Sequence, residues 1–137
     1  VIIVGASGKG IKKIPRADLT RVSFLSRRKL RETLIQKENL ITDDPIYISI
    51  DKDVLSPLFV HTNWDQGSLT LRELQQSLSL LVIHHNILGI DICGEFEITQ
   101  NLFQNHKAAY IDSQVNTSLL QTVILANNRK ERTKASL

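Results

Sequence analysis

Ile48-Ser49-Ile50-Asp51-Lys52-Asp53 is the stretch on which the reading of this chain turns. With Ile46 before it, the run is β-branched and reads as a buried parallel strand. It leads straight into two carboxylates at i and i+2. Extended backbone sends alternate side chains to opposite faces, so Asp51 and Asp53 should converge while Lys52 turns away. Two carboxylates that close repel each other, and a proton, a cation or a metal must neutralise them. Hard oxygen ligands suit Mg²⁺ or Mn²⁺. Spacing alone leaves a plainer alternative open, in which Asp51 ends the strand and Asp53 caps a turn.

Outward from this strand two periods alternate. Residues 1–4, 21–25 and 87–92 are further β-branched runs of strand length. Between them lie helical patterns. Ser26 is placed to cap a helix over 26–39, with Leu30 and Leu34 one turn apart. Thr70-Leu71-Arg72-Glu73 is a capping box, and Leu71, Leu74, Leu78 and Leu81 then form an apolar stripe closing near His84. A third helix is predicted over 113–125 with Asp112 as its cap. Residues 127–137 carry charge without a period and are expected to be a basic, disordered tail, leaving 1–126 as the domain. Strands alternating with helices predict an α/β fold, three-layered αβα with a mostly parallel sheet. The connection 51–68 is long, and it leaves the carboxyl end of a strand, where such folds place their sites.

Composition narrows the classes. The 137 residues are 42% hydrophobic and 23% charged, enough for one packed domain and too apolar for a disordered chain. No apolar run approaches the roughly 18 residues of a membrane span. One cysteine, Cys93, excludes an internal disulfide framework and fits a reducing, cytoplasmic setting. The net charge of +3 is modest. The basic groups at Lys12, Lys13, Arg27 to Lys29 and Arg129 to Lys134 lack interleaved aromatics, so no nucleic-acid partner is expected. The chain contains no methionine and opens directly on a strand-like run, which leads us to expect an excerpt of something longer.

The order of motifs then adds a resemblance. After the acidic pair come Val54-Leu55-Ser56-Pro57, the segment His61 to Thr70, the capped helix, and Ile87-Leu88-Gly89-Ile90-Asp91-Ile92. This resembles the C-terminal half of the ureohydrolases, the arginase and agmatinase family. There a strand ending in S-x-D-x-D-x-L-x-P precedes a T-G-T-P-x-x-G-G-L-T-x-R-E loop and helix, then a strand reading G-x-D-x-x-E. The matching positions are Ser49, Asp51, Asp53, Leu55, Pro57, Thr62, Gly67, Leu69, Thr70, Arg72, Glu73, Gly89 and Asp91. Val115-Asn116-Thr117 resembles the closing helix. The resemblance implies an arginase/deacetylase-like partial domain in which Asp51 and Asp53 are catalytic ligands of two Mn²⁺ ions. A metal-bridged hydroxide would attack a guanidino or related linear C–N group. Asp91 and Glu95 are the implied substrate groups or supports of the ligands, and Thr62 is a substrate contact. His61 is a further expected substrate contact from its place in the loop between the acidic pair and Gly67, although the family's general-acid histidine precedes the D-x-D strand. A homo-oligomer is the expected assembly.

The chain departs from the family in three places. The upstream G-G-D-H and D-A-H-x-D ligand elements are absent, so completion of the metal pair falls to a missing N-terminal half. The substrate-gripping glutamate falls at Gly94, with Glu95 one residue late, and Glu95 serves only if the chain bulges at Gly94. The T-G-T-P segment reads Thr62-Asn63-Trp64-Asp65, bulkier and more polar, with Trp64 a candidate pocket wall. These changes point to a small-molecule or peptide guanidino substrate other than free arginine.

Rival readings are weaker. The glycines of Val4 to Gly10 follow a strand, but Pro15 and two lysines make a poor nucleotide-binding helix start. A haloacid-dehalogenase-type phosphatase also uses a strand-terminal D-x-D, yet Val54-Leu55 fits its pattern badly. A catalytically incomplete α/β module serving for binding or structure is the non-enzymatic alternative. Cys93 reads as an inert buried group at a strand end, and His84-His85 as a cationic helix C-terminus.

Overall fold

In a computed structural model of the chain, the described residues are 2–4, 23–26, 28–30, 32, 44–96 and 98–136. Their strands are β1 (Ile2–Val4), β2 (Ser23–Leu25), β3 (Ile46–Asp51) and β4 (Ile87–Cys93), and their long helices are α1 (Leu71–His84) and α2 (Leu102–Ala135). β1 pairs with β2 and β3 with β4, both parallel, as two ribbons among the described residues. The α/β class and parallel pairing follow the β-branched runs. The glycine-bearing stretch 5–10 and most of the helix predicted over 26–39 lie outside the described residues. At its head Ser26 is in place: its Oγ accepts from the Lys29 N–H at 3.2 Å, and Leu30 is buried.

Alternation along β3 separates inside from outside. Ile46, Ile48 and Ile50 face the packed interior, while Tyr47, Ser49 and Asp51 are exposed. The strand is thus buried on one face rather than both, as its polar alternate residues require. Its register with β4 sets Ser49 beside Asp91 and Asp51 beside Cys93, so the two strands end at a common rim.

The long connection after β3 is tied at its base. Leu55 and Leu69, both buried, form an isolated parallel bridge. The Ser56 N–H donates to the Leu69 carbonyl at 2.9 Å, the Leu69 N–H to the Val54 carbonyl at 3.0 Å, and the Gly67 N–H to the Asp53 carbonyl at 2.6 Å. A side chain at Gly67 would run into the Val54 carbonyl, so only glycine permits this closure. α1 starts immediately afterwards with its box intact. The Thr70 Oγ1 accepts from the Glu73 N–H at 3.2 Å, and Glu73 Oε2 accepts from the Thr70 N–H at 2.9 Å. Leu78 and Val82 are its buried apolar centre, with Leu71 and Leu74 packed at the margin.

α2 differs from the sequence reading at both ends. Its cap is Asn101, whose Oδ1 accepts from the Gln104 N–H at 3.1 Å, and it runs through Ala135. Asp112, read as a cap, lies inside the helix and is buried. The first turns carry exposed Leu102, Phe103 and Tyr110, which blur any apolar stripe. The charged stretch expected to fray is helical as far as Ala135, and Lys130 Nζ donates to the carbonyl of His85 at 2.5 Å. That contact gives a helix-end carbonyl of α1 a cationic partner. α1 and α2 pack together, and Leu30, Ile50, Leu55, Val60, Leu69, Leu78, Val82, Val115, Leu119 and Ala126 form one buried cluster. No described helix is long and apolar enough to cross a membrane.

Candidate functional site

The rim where β3 and β4 end carries the acidic pair. The chain does not stay extended through it: Lys52–Val54 is a turn of 3₁₀ helix capped by Asp51, whose Oδ1 accepts from the Asp53 N–H at 3.0 Å. The strand rule that pairs i with i+2 on one face therefore stops at Asp51. The two residues remain together by a different geometry, an aspartate turn in which one carboxylate holds the amide of the other. Asp53 Oδ1 is buried and has no hydrogen-bond partner among the described residues. A buried carboxylate oxygen left without a donor is costly, and a hard divalent cation is one group that would satisfy it. Asp51 and Asp53 supply oxygen donors of the kind such an ion takes. Among the described residues no set of three or more His, Cys, Asp or Glu side chains is gathered to hold a metal.

Lys52, between the two aspartates, is fully buried. Its Nζ lies 2.9 Å from Asp112 Oδ1 and 2.7 Å from Glu95 Oε1. Asn116, one turn beyond Asp112 on α2, donates its Nδ2 to the same Glu95 oxygen at 3.1 Å. Burial pushes the Glu95 carboxyl up, but hydrogen bonds from Lys52 and Asn116 outweigh it and hold the pKa below the ordinary glutamate value. For Asp112 burial wins and the carboxyl is pushed up, despite the Lys52 contact and the Phe96 N–H.

Gly94 makes this arrangement possible. Its φ is +83, and a Cβ there would sit 2.6 Å from Asp51 Oδ1 and 2.9 Å from the Lys52 backbone nitrogen. The chain leaving β4 thus crosses directly over the aspartate turn. Because β4 ends at Cys93, strand alternation no longer dictates where Glu95 faces.

Asp91 lies one step back from the rim, on the face that carries Ser49. Its Oδ1 accepts from the Ser49 hydroxyl at 2.8 Å. A hydrogen bond to Asp91, and then its charge, push the Tyr47 phenol above its usual pKa, while the Tyr47 ring lies over Gly89. Cys93 is exposed rather than buried, because it falls on the outward face beside Asp51. Partial desolvation first, then the carboxylates of Asp51, Asp91 and Asp53, push its thiol up, which disfavours the thiolate. His61 is exposed, and the Thr62 Oγ1 accepts from the Trp64 N–H at 3.4 Å. Among the described residues no hydrogen bond joins either to the acidic pair. Trp64 is 73% exposed on the loop surface.

Sequence reasoning missed Lys52, Asp112 and Asn116. The signals were present. Lys52 continues the inward parity of Ile48 and Ile50, and Asp112 shares a helical face with Ala108, Val115 and Leu119.

No family model matches the chain. An uncharacterized protein of Thermotoga maritima is 43% identical over 56 residues, which make up 41% of this chain and 22% of that protein. A crystal structure of a hypothetical agmatinase from Burkholderia thailandensis matches 95% of this chain and 40% of its own, with 20% identity and a TM-score of 0.56. The likeness is one of fold. The chain has an agmatinase-like α/β fold and spans less than half the length of either match.

Proposed function

We propose that this chain is part of a metal-dependent hydrolase of the arginase and agmatinase kind, acting on a guanidino or related linear C–N group. The observation that carries the reading is the buried, unpartnered Asp53 Oδ1 beside Asp51, at the carboxyl rim of paired parallel strands. The agmatinase-like fold supports it. Asp51 and Asp53 would hold Mn²⁺, with further ligands from outside this chain. Bound there, paired Mn²⁺ ions supply acidified water near neutral pH. The chain's own residues bind and orient. Glu95 accepts from the cationic end of the substrate, and Asp91 with Ser49 steadies the sheet surface behind the rim. His61 and Thr62, on the loop that follows the acidic pair, would contact the substrate.

The test uses the intact protein. Wild type is expected to bind Mn²⁺ and release urea from a guanidino compound. Asp53→Asn should lower Mn²⁺ affinity by about tenfold or more, as loss of a charged ligand does, and abolish turnover while the melting curve is unchanged. Full activity in that variant would refute the assignment.

A further inference from the structure

An ammonium taken wholly out of water loses solvation that only close counter-charges return. Lys52 meets that demand with Asp112 and Glu95, at 2.9 and 2.7 Å. Asp112 is only 4% exposed, and its Oδ2 accepts from the Phe96 N–H at 3.2 Å. One buried aspartate therefore anchors both the ammonium that grips Glu95 and the backbone amide that follows it. Asn116 adds a second donor to Glu95 Oε1. Yet 53% of the Glu95 side chain is open to solvent. Exposed carboxylates ordinarily move among rotamers and gain little from ion pairs. One restrained on its inner side loses much less freedom on accepting a ligand from its outer side.

Two further observations give the restraint a direction. Gly94 seats Glu95 next to the aspartate turn. The cluster also has one more carboxylate than ammonium, so its open side attracts a cation.

We propose that Lys52, backed by Asp112 and Asn116, is a positioning residue that presents the Glu95 carboxylate in one orientation to a cationic, multi-donor nitrogen group at the Asp51–Asp53 rim. The inference rests on the reading of Glu95 as a substrate contact and deepens it by naming what sets that contact's geometry. It favours a guanidinium over a neutral amide, because ionised Glu95 only accepts, and charged donors bind it more strongly.

The intact protein is titrated by calorimetry with methylguanidinium chloride in four forms: wild type, Glu95→Gln, Lys52→Met with Asp112→Leu, and all three changes together. Removing both buried charges at once leaves no unpaired ion inside, so the fold is expected to survive the change. Glu95→Gln and the paired change should each weaken binding by about tenfold, and the triple variant no further, since all act through one contact. Mn²⁺ binding, read by electron paramagnetic resonance, should persist in all four, since Asp51 and Asp53 are unchanged.

Full methylguanidinium affinity in the paired variant, additive losses in the triple variant, or no binding by wild type overturns the positioning role. Failure of wild type to bind Mn²⁺ instead sinks the metal reading, and the methylguanidinium arms still decide this one. If the paired variant unfolds, Asn116→Leu decides: a loss of about threefold or more at unchanged melting temperature supports the role, and unchanged affinity overturns it.

Discussion

Gly94 and Lys52 together set where Glu95 can be. An L-residue at the positive φ of Gly94 would cost about 1–2 kcal/mol before its Cβ met Asp51. Lys52 then draws the glutamate's folded pKa below its unfolded value of about 4.3. A depressed carboxyl stabilises the fold above the unfolded pKa, and that contribution disappears as pH falls through the folded one. Asp112, pushed up by burial, acts in the opposite sense: its contribution is largest in acid and declines as pH rises through its folded value. Glu95→Gln should therefore be less stable than wild type at neutral pH, with the deficit closing on acidification. Urea melts between about pH 7 and pH 3 measure this, and a constant deficit would contradict it. At this scale the acidic pair could be read from sequence, but its geometry could not. The rule for extended chain ends at Asp51, and nothing local announces that a 3₁₀ turn begins at Lys52.

Among the elements, α1 was the most legible because its signals are short-range. Thr70 and Glu73 sit within one turn of each other and share three hydrogen bonds. Thr70→Ala should cost about 1 kcal/mol, seen as a lower urea midpoint with an unchanged slope. A changed slope would mean that the loop closed by Leu55 and Leu69 had opened as well. α2 was the least legible. Its interior is marked by buried Ala108, Val115, Leu119 and Ala126, but its outer turns carry exposed apolar or charged residues whose pattern has no period. Those turns are helical through contacts distant in sequence, such as Lys130 with the His85 carbonyl. No window of local sequence contains that information.

Across the whole molecule, the β-branched runs and the helices between them were sufficient for the α/β class and the parallel pairing. They were insufficient for the way the site is braced, since Lys52 and Asp112 are sixty positions apart. The core joins the two regions. Leu119 is fully buried in the cluster that also contains Leu78 on α1 and Ile50 on β3. Leu119→Ala should cost about 2–5 kcal/mol in a chemical denaturation experiment, the range for a large cavity in a packed interior. A loss under about 1 kcal/mol would show the surroundings collapsing to fill it.

Asp112 and Lys130 lie eighteen positions apart on α2, about five turns at 3.6 residues each, so they share one azimuth. One grips Lys52 in the turn after β3 and the other the end of α1. The helix is thereby keyed to the body at two points of equal phase. Losing or gaining a single residue between them would swing one key about 100° out of its slot. This stretch of chain tolerates exchange of side chains far better than any change in its count.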